Sequence, residues 1–363
     1  MINNLLHVNR PEPIKSGIEI GTFTRESDIP ETIETLLAGE QILIEEFYSN
    51  GLYLLRELTT YLKNTLPNES FLEQRAFRAE FRKLSNLILI HVKGHKLIVR
   101  KAPVIGWLEK LYPELKDFFL PLPQIQGLNS AWQWYKNGIN IPVLRNKIHP
   151  YYGVYFPTRF EHLILFDNWL KRYEGPKKTA IDIGIGSGVL SLMMVQHGFQ
   201  KSFGTDTNPN AIIGLTASME GTKLARKIEI DFGHLFGKWE KPTELIVFNP
   251  PWLPAAQELN RLDEAIYYNE KLFPDFFEEA QKHLLPEGKI VILFSNLAQI
   301  TQVTSEHPIE KELLSGVRFV LEKCLKKSVK EASEKTNRNQ HWRGAEEVEL
   351  WVLKLQQSND VRS

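Results

Sequence analysis

Short runs of apolar and β-branched residues alternate with longer helical segments from residue 179 onward, and this alternation constrains the fold more than any other feature. The predicted strands are Thr179–Ile183, Ser202–Asp206, Lys227–Phe232, Glu244–Phe248, Ile290–Phe294, Gly316–Lys323 and Glu347–Leu355. Consecutive parallel strands need a crossover connection, which is usually a helix. The pattern therefore predicts an α/β domain with a mostly parallel sheet.

The first third of the chain has a different pattern and predicts a separate domain. Apolar residues recur at helical spacing between Ile42 and Leu62, and a second helix is predicted around Glu73–Leu87. Two hairpins are predicted, one pairing Leu87–Val92 with Lys96–Val99 and one pairing Trp132–Tyr135 with Ile139–Leu144 across the Asn137-Gly138 turn. We expect a mainly helical domain with a hairpin linker over residues 1–145, with a role in substrate recognition, and the α/β domain over residues 146–363.

Composition excludes several classes of protein. The 44 Lys and Arg residues balance 44 Asp and Glu residues among 363, which excludes a uniformly basic nucleic-acid coat protein. Cys324 is the single cysteine, and no run approaches the roughly 18 apolar residues of a membrane helix. The ten histidines show no metal-ligand spacing, and Met1–Arg10 lacks the pattern of a secretory signal. We expect a cytoplasmic protein with no membrane partner and no metal.

A glycine-rich turn follows the first predicted strand of the α/β domain. Asp182 lies near the end of that strand, and Gly184-Ile185-Gly186-Ser187-Gly188 leads into a helix. Glycine allows sharp backbone turns and the close approach of a ligand, and a helix N-terminus favours polar ligand groups. The turn suits a dinucleotide or S-adenosylmethionine, and a purely structural turn is the alternative.

An acidic residue, Asp206, ends the second predicted strand and is followed by Thr207. A carboxylate at this position accepts hydrogen bonds from the hydroxyl groups of a ribose in nucleotide-binding folds. A helix N-cap or a surface turn is the alternative role for Asp206.

The segment Asn249-Pro250-Pro251-Trp252 ends the fourth predicted strand. Ligands bind at the carboxyl ends of parallel strands, so the glycine turn, Asp206 and Asn249 should surround one crevice. The Asn249 side-chain oxygen and the Pro250 carbonyl are suited to hold the N–H groups of an amide or amine, and Trp252 offers a flat surface to a planar substrate. The alternative is a strand-terminating turn with a core tryptophan.

These motifs resemble those of class I S-adenosylmethionine-dependent methyltransferases, over residues 148 to about 355. Asn249-Pro250-Pro251-Trp252-Leu253-Pro254 is similar to the Asn-Pro-Pro-Tyr-Ile-Pro stretch of HemK-like glutamine methyltransferases and of relatives that methylate adenine or guanine amines. The segment from Tyr155 to His162 is similar to the Pro-Arg-Pro-x-Thr-Glu region of the same family. The resemblance implies a Rossmann-like domain with a seven-stranded, mostly parallel sheet and S-adenosylmethionine as cofactor.

The resemblance also implies roles for individual residues. Asn249, Pro250 and Trp252 would be catalytic, and the same residues with Pro251 would bind the substrate. The implied cofactor-binding residues are Asp182, Gly184, Ile185, Gly186, Ser187, Gly188, Asp206, Thr207, Leu235 and Asn249. Two departures from the family pattern stand out: His234 occupies the position of an acidic residue after the third strand, and Trp252 replaces the commoner tyrosine. Leu235 and Phe236 are then the residues expected to pack on the adenine.

We therefore expect an N-methyltransferase that acts on a planar nitrogen of a macromolecule. Both a protein glutamine amide and an exocyclic amine of an RNA or DNA base stay open as the acceptor. The eight bases and two acids of residues 71–101 and the nine bases and four acids of residues 311–343 favour a nucleic acid. The alternatives are a nicotinamide-dependent oxidoreductase on the same type of domain and a catalytically silent binding protein.

Overall fold

The computed structural model describes residues 6–15, 20–67, 71–255, 267–329 and 345–356. Most of the basic segment predicted between residues 325 and 344 therefore lies outside the described residues. The chain divides into a unit of residues 8–137 and a unit that begins at Gly138, whereas the sequence predicted the boundary near Asn146. Within the described ranges, no helix is long and apolar enough to cross a membrane.

The described residues of the N-terminal unit form five helices and a mixed sheet. The helices are α1 (Ile29–Leu37), α2 (Tyr48–Thr65), α3 (Phe71–Ser85), α4 (Trp107–Leu111) and α5 (Leu122–Asn137). The strands are β1 (Ile14–Lys15), β2 (Gly21–Phe23), β3 (Ile42–Ile44), β4 (Ile88–Lys93), β5 (Lys96–Leu97) and β6 (Asp117–Pro121). Their order is β1-β6-β4-β3-β2, and β5 pairs with β4. The predicted β4–β5 hairpin is present, but the sheet around it was not predicted.

The second predicted hairpin is wrong. Trp132–Tyr135 belongs to α5, which ends at Asn137, and Gly138 adopts a positive φ of 68°. A left-handed glycine is a common helix terminator, so Asn137-Gly138 ends a helix here instead of joining two strands. Ile139 forms an isolated antiparallel bridge with Ile148 and not with the preceding segment.

The C-terminal unit is built on a seven-stranded sheet. Its strands are β7 (Thr179–Ile183), β8 (Lys201–Asp206), β9 (Ile228–Phe232), β10 (Thr243–Phe248), β13 (Leu284–Ser295), β14 (Phe319–Ser328) and β15 (Glu347–Leu355), and a small ladder joins β11 (Leu253–Pro254) to β12 (Tyr267–Tyr268). The order is β14-β15-β13-β10-β7-β8-β9, with β15 antiparallel to both of its neighbours. This arrangement confirms the predicted α/β fold with a mostly parallel sheet.

Helices cover both faces of this sheet. They are α6 (Glu161–Leu170), α7 (Val189–Gln196), α8 (Pro209–Met219), α9 (Leu272–His283), α10 (Leu297–Ile300) and α11 (Pro308–Ser315), together with a 3-10 turn at Lys223–Arg226. Side chains of β10 alternate between the two faces: Leu245 and Val247 pack with residues of α6 and α7, and Ile246 and Phe248 pack with residues of α9. Because β10 is buried on both faces, apolar residues occupy successive positions along it, which explains the continuous apolar run in the sequence.

The order of strands reverses beside β7. The chain passes from β7 to β8 and β9 on one side and then returns to β10 on the other side of β7. At such a reversal, the loops that follow two neighbouring strands run in opposite directions away from the sheet edge. Their separation opens a crevice at the carboxyl ends of these strands. The fold therefore places a crevice between the ends of β7 and β10.

Candidate active site

The three predicted motifs begin at the same level of the sheet. Ile183 of β7 pairs with Phe248 of β10 on one side and with Thr205 of β8 on the other. Gly184, Asp206 and Asn249 directly follow these three residues. Since neighbouring strands lie about 4.8 Å apart, the glycine turn, the acid and the asparagine meet at one edge of the sheet.

The backbone of the glycine turn favours glycine at each of its three alternate positions. Gly184, Gly186 and Gly188 have φ values of 66°, 51° and 79°, a region that side chains disfavour. A Cβ on Gly184 would have no atom within 4 Å, and a Cβ on Gly186 would lie 3.4 Å from the carbonyl oxygen of Tyr155. The open space above Gly184 allows a ligand to approach the main chain.

Asp206 connects the ends of β8 and β7. Its Oδ2 accepts a hydrogen bond from the backbone N–H of Gly186 at 2.7 Å, and its Oδ1 accepts one from the backbone N–H of Asn208 at 2.8 Å. Asn208, and not Asp206, is the N-cap of α8, because its Oδ1 accepts from the backbone N–H of Asn210 at 3.0 Å. The alternative of a helix cap for Asp206 is therefore wrong.

Asp182 lies in the interior below the turn. Its Oδ2 accepts hydrogen bonds from the backbone N–H of Ser191 at 2.9 Å and from its hydroxyl at 2.8 Å, which attaches β7 to α7. Its Oδ1 has no hydrogen-bond partner among the described residues. Burial raises the pKa of Asp182 to about 7, and the nearby Asp206 carboxylate acts in the same direction. This carboxyl group supports the turn from beneath.

The Asn-Pro-Pro-Trp segment carries two buried polar atoms that the described part of the chain leaves unpaired. They are the side-chain oxygen Oδ1 of Asn249 and the indole Nε1 of Trp252. The Trp252 ring packs against the core clusters on both sides of the sheet, so the alternative of a core tryptophan is partly right. Buried polar atoms are normally hydrogen-bonded, so this acceptor and this donor are candidates to bind the polar groups of a ligand.

His162, which the sequence analysis did not assign a role, supports Trp252. The two rings meet edge to face with centroids 5.5 Å apart. Both ring nitrogens of His162 are buried and have no partner within the described ranges. Burial lowers the pKa of His162 to about 4, although the adjacent Glu161 carboxylate opposes this change, so the imidazole is neutral at pH 7.

Leu235 and Phe236, expected to pack on the adenine, are core residues instead. Leu235 is 5% exposed and Phe236 is 1% exposed. The Leu235 carbonyl accepts a hydrogen bond from the hydroxyl of Thr205, and Phe236 stacks on His283 with ring centroids 4.3 Å apart. Neither side chain has an exposed surface of useful size for a ligand, because both pack into the apolar layer below.

Two asparagines at the start of α8, the N-cap Asn208 and Asn210, hold a further wall of the site, and sequence reasoning missed both. The side-chain Nδ2 of Asn208 donates to the Gly153 carbonyl at 2.8 Å, and that of Asn210 donates to the Tyr152 carbonyl at 2.7 Å. These bonds fix the segment whose Tyr155 carbonyl faces Gly186. The run of cap-forming residues at 206–210 was the only sequence signal for them.

The crevice suits S-adenosylmethionine. Gly184 leaves room at the main chain, and the Asp206 carboxylate at the same edge would be suited to accept hydrogen bonds from ribose hydroxyls. Among the described residues, no group of three or more His, Cys, Asp or Glu side chains is arranged to hold a metal ion.

Comparisons with known proteins agree with this assignment. The family model "Methyltransferase small domain" matches residues 163–315. A Methanocaldococcus jannaschii protein, named as a protein N5-glutamine methyltransferase, is 27% identical over 168 residues, which cover 44% of this chain and 80% of the relative. A ribosomal protein L11 methyltransferase of Histophilus somni is 34% identical over 77 residues, 21% of this chain and 24% of the relative, so the chain spans only about a quarter of that enzyme.

Solved structures also resemble part of the chain. A ribosomal protein L11 methylase from Lactobacillus delbrueckii is 16% identical, covers 56% of this chain and 82% of its own, and has a TM-score of 0.36. The family model and the curated relatives confirm the expectation of a methyltransferase that uses S-adenosylmethionine. The expected alternative of an oxidoreductase finds no support among these similarities.

Proposed function

We propose that the C-terminal unit transfers the methyl group of S-adenosylmethionine to a planar nitrogen, and that this nitrogen belongs to a glutamine amide of a protein. The observation that carries the proposal is the pair of unpaired buried atoms at the crevice, the Asn249 Oδ1 acceptor and the Trp252 Nε1 donor. A primary carboxamide offers the complementary pair, since its nitrogen donates and its oxygen accepts. The similarity to a protein named as an N5-glutamine methyltransferase supports the same acceptor.

The main contribution of the protein to this reaction is to align the methyl donor with the acceptor nitrogen. When bound, S-adenosylmethionine supplies a methyl group on a positively charged sulfur, which is already strongly electrophilic. An amide nitrogen is a poor nucleophile because its lone pair is delocalised into the carbonyl group. Asn249 Oδ1 accepts a hydrogen bond from the amide N–H, which orients the nitrogen and increases its electron density. Holding the two reactants in line supplies much of the rate enhancement expected for such a transfer.

Two further residues shape the acceptor site. The Trp252 N–H donates to the amide oxygen, and its ring is held by the perpendicular His162 ring, 5.5 Å away between centroids. The double-proline sequence restricts the backbone between Asn249 and Trp252 because each ring fixes its φ angle. The acceptor oxygen and the donor nitrogen therefore keep a fixed spacing, as recognition of a small planar group requires.

A base amine is the second candidate acceptor, and one observation favours it. Arg78, Arg82 and Lys83 are exposed on α3 of the N-terminal unit, which gives that helix a basic surface. Basic side chains of this kind contact phosphates in nucleic-acid complexes. A base amine next to a ring nitrogen also offers one donor and one acceptor.

Radiolabelled methyl transfer distinguishes the two acceptors. The protein is incubated with labelled S-adenosylmethionine and a cell extract, and the products are divided between nuclease and protease treatment. The proposal predicts that protease converts the labelled product from high to low molecular weight. Nuclease should leave the size of the labelled product unchanged. Release by nuclease alone assigns the base amine, and no transfer with either acceptor contradicts the proposed function.

A further inference from the structure

A cavity of about 440 Å³ lies between α7 and α8 of the C-terminal unit. Its floor is aliphatic and is formed by Ile185, Leu192, Leu215, Met219, Leu224 and Ile228. The turn Gly186-Ser187-Gly188 forms one wall, but neither Asp206 nor Asn249 lines the space. The cavity therefore adjoins the expected cofactor site at the glycine turn but does not include Asp206 or Asn249.

The side of the cavity formed by residues 144–151 is held in place by hydrogen bonds. The Gln196 side chain of α7 donates to the Val143 carbonyl at 3.0 Å and accepts from the backbone N–H of Arg145 at 3.3 Å. Ile139 and Ile148 exchange two backbone hydrogen bonds of 2.8 and 3.0 Å. This wall is therefore part of the folded framework of the unit.

Close packing at α8 fixes the other end of the same wall. A Cβ on Gly214 would lie 2.4 Å from the Cβ of Tyr151, so glycine is required for this approach. The shape of the cavity is thus set by the Gln196 side chain of α7 and by the close approach of Tyr151 to Gly214 of α8. Small-molecule sites are typically preformed cavities of roughly 300 to 1,000 Å³ with apolar walls, and this space has both properties.

Charge at the cavity is of one sign. The charged side chains that line it are Arg145 and Lys147, and no Asp or Glu is present among the described residues that do so. Both Arg145 and Lys147 are exposed, which places cationic groups at the side open to solvent. An aliphatic floor with cations at its opening is complementary to a molecule with an apolar body and an anionic end.

We propose that this cavity binds a small amphipathic carboxylate. The apolar body of the ligand lies on the floor between α7 and α8, and its carboxylate faces Arg145. The proposal does not depend on the methyl acceptor, since none of the residues assigned to the acceptor lines the cavity.

Calorimetry on the full chain tests the proposal with decanoate, used below its micellar concentration, as the probe. We expect saturable binding at one site, and decylamine, which has the same chain and the opposite charge, should bind at least tenfold more weakly. Binding of decanoate should persist when S-adenosylmethionine is saturating, because the two sites share only the wall formed by the glycine turn, and neither Asp206 nor Asn249 lines the cavity. Displacement of decanoate by the cofactor, or equal affinity for decanoate and decylamine, would overturn the proposal.

Three variants assign the site. Arg145→Glu should weaken decanoate binding at least tenfold, whereas Arg172→Glu, an exposed arginine outside the cavity, should leave it unchanged. Ser218→Trp fills the cavity from α8 and should abolish binding. Circular dichroism and binding of S-adenosylmethionine confirm that each variant is folded. Decanoate binding that is the same in folded Arg145→Glu and Ser218→Trp as in the natural protein contradicts the assignment.

Discussion

The carboxylate of Asp206 accepts a hydrogen bond from the backbone N–H of Gly186 at 2.7 Å, so the two nucleotide-type motifs of this chain are physically joined. A second bond, from the backbone N–H of Asn208, fixes the rotation of the same carboxylate. The acid is consequently held in one orientation at the crevice before any ligand binds. Preorganised acceptors of this kind bind ligands without a further ordering cost.

Replacement of Asp206 by asparagine should weaken S-adenosylmethionine binding. An amide replaces one of the two carboxylate oxygens by an N–H donor, so one of the bonds from Gly186 and Asn208 is lost and the charge disappears. We expect the dissociation constant measured by calorimetry to rise at least tenfold, since a hydrogen bond to a charged group is worth about 1.5–3 kcal/mol. Asp275→Asn, at an exposed position of α9, is the matched control. An unchanged isotherm for Asp206→Asn would mean that another group holds the ribose.

Alanine substitutions at Gly184 and Gly188 should separate binding from stability. Both glycines have positive φ, but a Cβ on Gly184 has free space, whereas one on Gly188 would lie 2.8 Å from Cδ2 of Leu215. Gly184→Ala should lower the free energy of unfolding by about 1 kcal/mol, the cost of the left-handed conformation alone. Gly188→Ala should lower it further because of the contact with Leu215.

For cofactor affinity, Gly184→Ala should have a larger effect than Gly188→Ala. Gly184→Ala places a methyl group where the ligand approaches the main chain, so its loss of S-adenosylmethionine binding should exceed that of Gly188→Ala. Urea denaturation and calorimetry measure the two quantities. Equal cofactor affinity in Gly184→Ala and the natural protein would show that the ligand does not pass over this residue.

Asp182 should make stability depend on pH. Its pKa is about 7 in the folded protein and near 3.8 when unfolded, so the folded state binds the extra proton between these values. Stability from this group therefore falls as pH rises from about 4 to 7 and is constant above that. Asp182→Asn keeps an oxygen for Ser191 but does not ionise, so the fall in melting temperature between pH 5 and pH 8 should shrink. Asp275→Asn should keep the natural fall, and the same fall in Asp182→Asn would contradict the assignment.

Glu349 should make stability rise with pH, which is opposite to the effect of Asp182. Burial alone would raise its pKa, but hydrogen bonds from His307, Lys326 and Trp351 lower it to about 2 from an ordinary value of 4.5. Its stabilising contribution is therefore complete above about pH 4.5 and is lost as pH falls toward 2. Glu349→Gln should reduce the free energy of unfolding by about 3 kcal/mol at pH 7, and by less at pH 3. Urea denaturation at the two pH values measures this, and an equal loss at both would show that the charge of Glu349 is not what stabilises the fold.

Much of the α/β unit was predictable because its strands are continuous apolar runs. Each of the seven predicted strands overlaps a strand of the sheet, and β7 and β15 agree at both ends. The sheet of the N-terminal unit beyond its predicted hairpin was not predictable, since β1, β2 and β3 contain only two or three residues each. So few residues cannot show alternation, and tertiary pairing decides their conformation.

The candidate site was only partly predictable for a related reason. The positions of the glycine turn, Asp206 and Asn249 follow from strand ends, which sequence patterns locate well. His162 and Asn210 act through contacts with residues 90 and 58 positions away in sequence, Trp252 and Tyr152. Phe236 was assigned to the cofactor although it packs into the core, because an aromatic residue after a strand suits both locations.

The most direct test of the account compares Asn249→Ala with the natural protein in labelled methyl transfer, beside calorimetry of S-adenosylmethionine. Asn140→Ala, the same change at an exposed position of the same unit, is the control. The account predicts that Asn249→Ala loses at least a hundredfold in transfer while its cofactor dissociation constant stays within a few-fold, because the substrate nitrogen loses its acceptor oxygen. Undiminished transfer by Asn249→Ala would contradict the central claim.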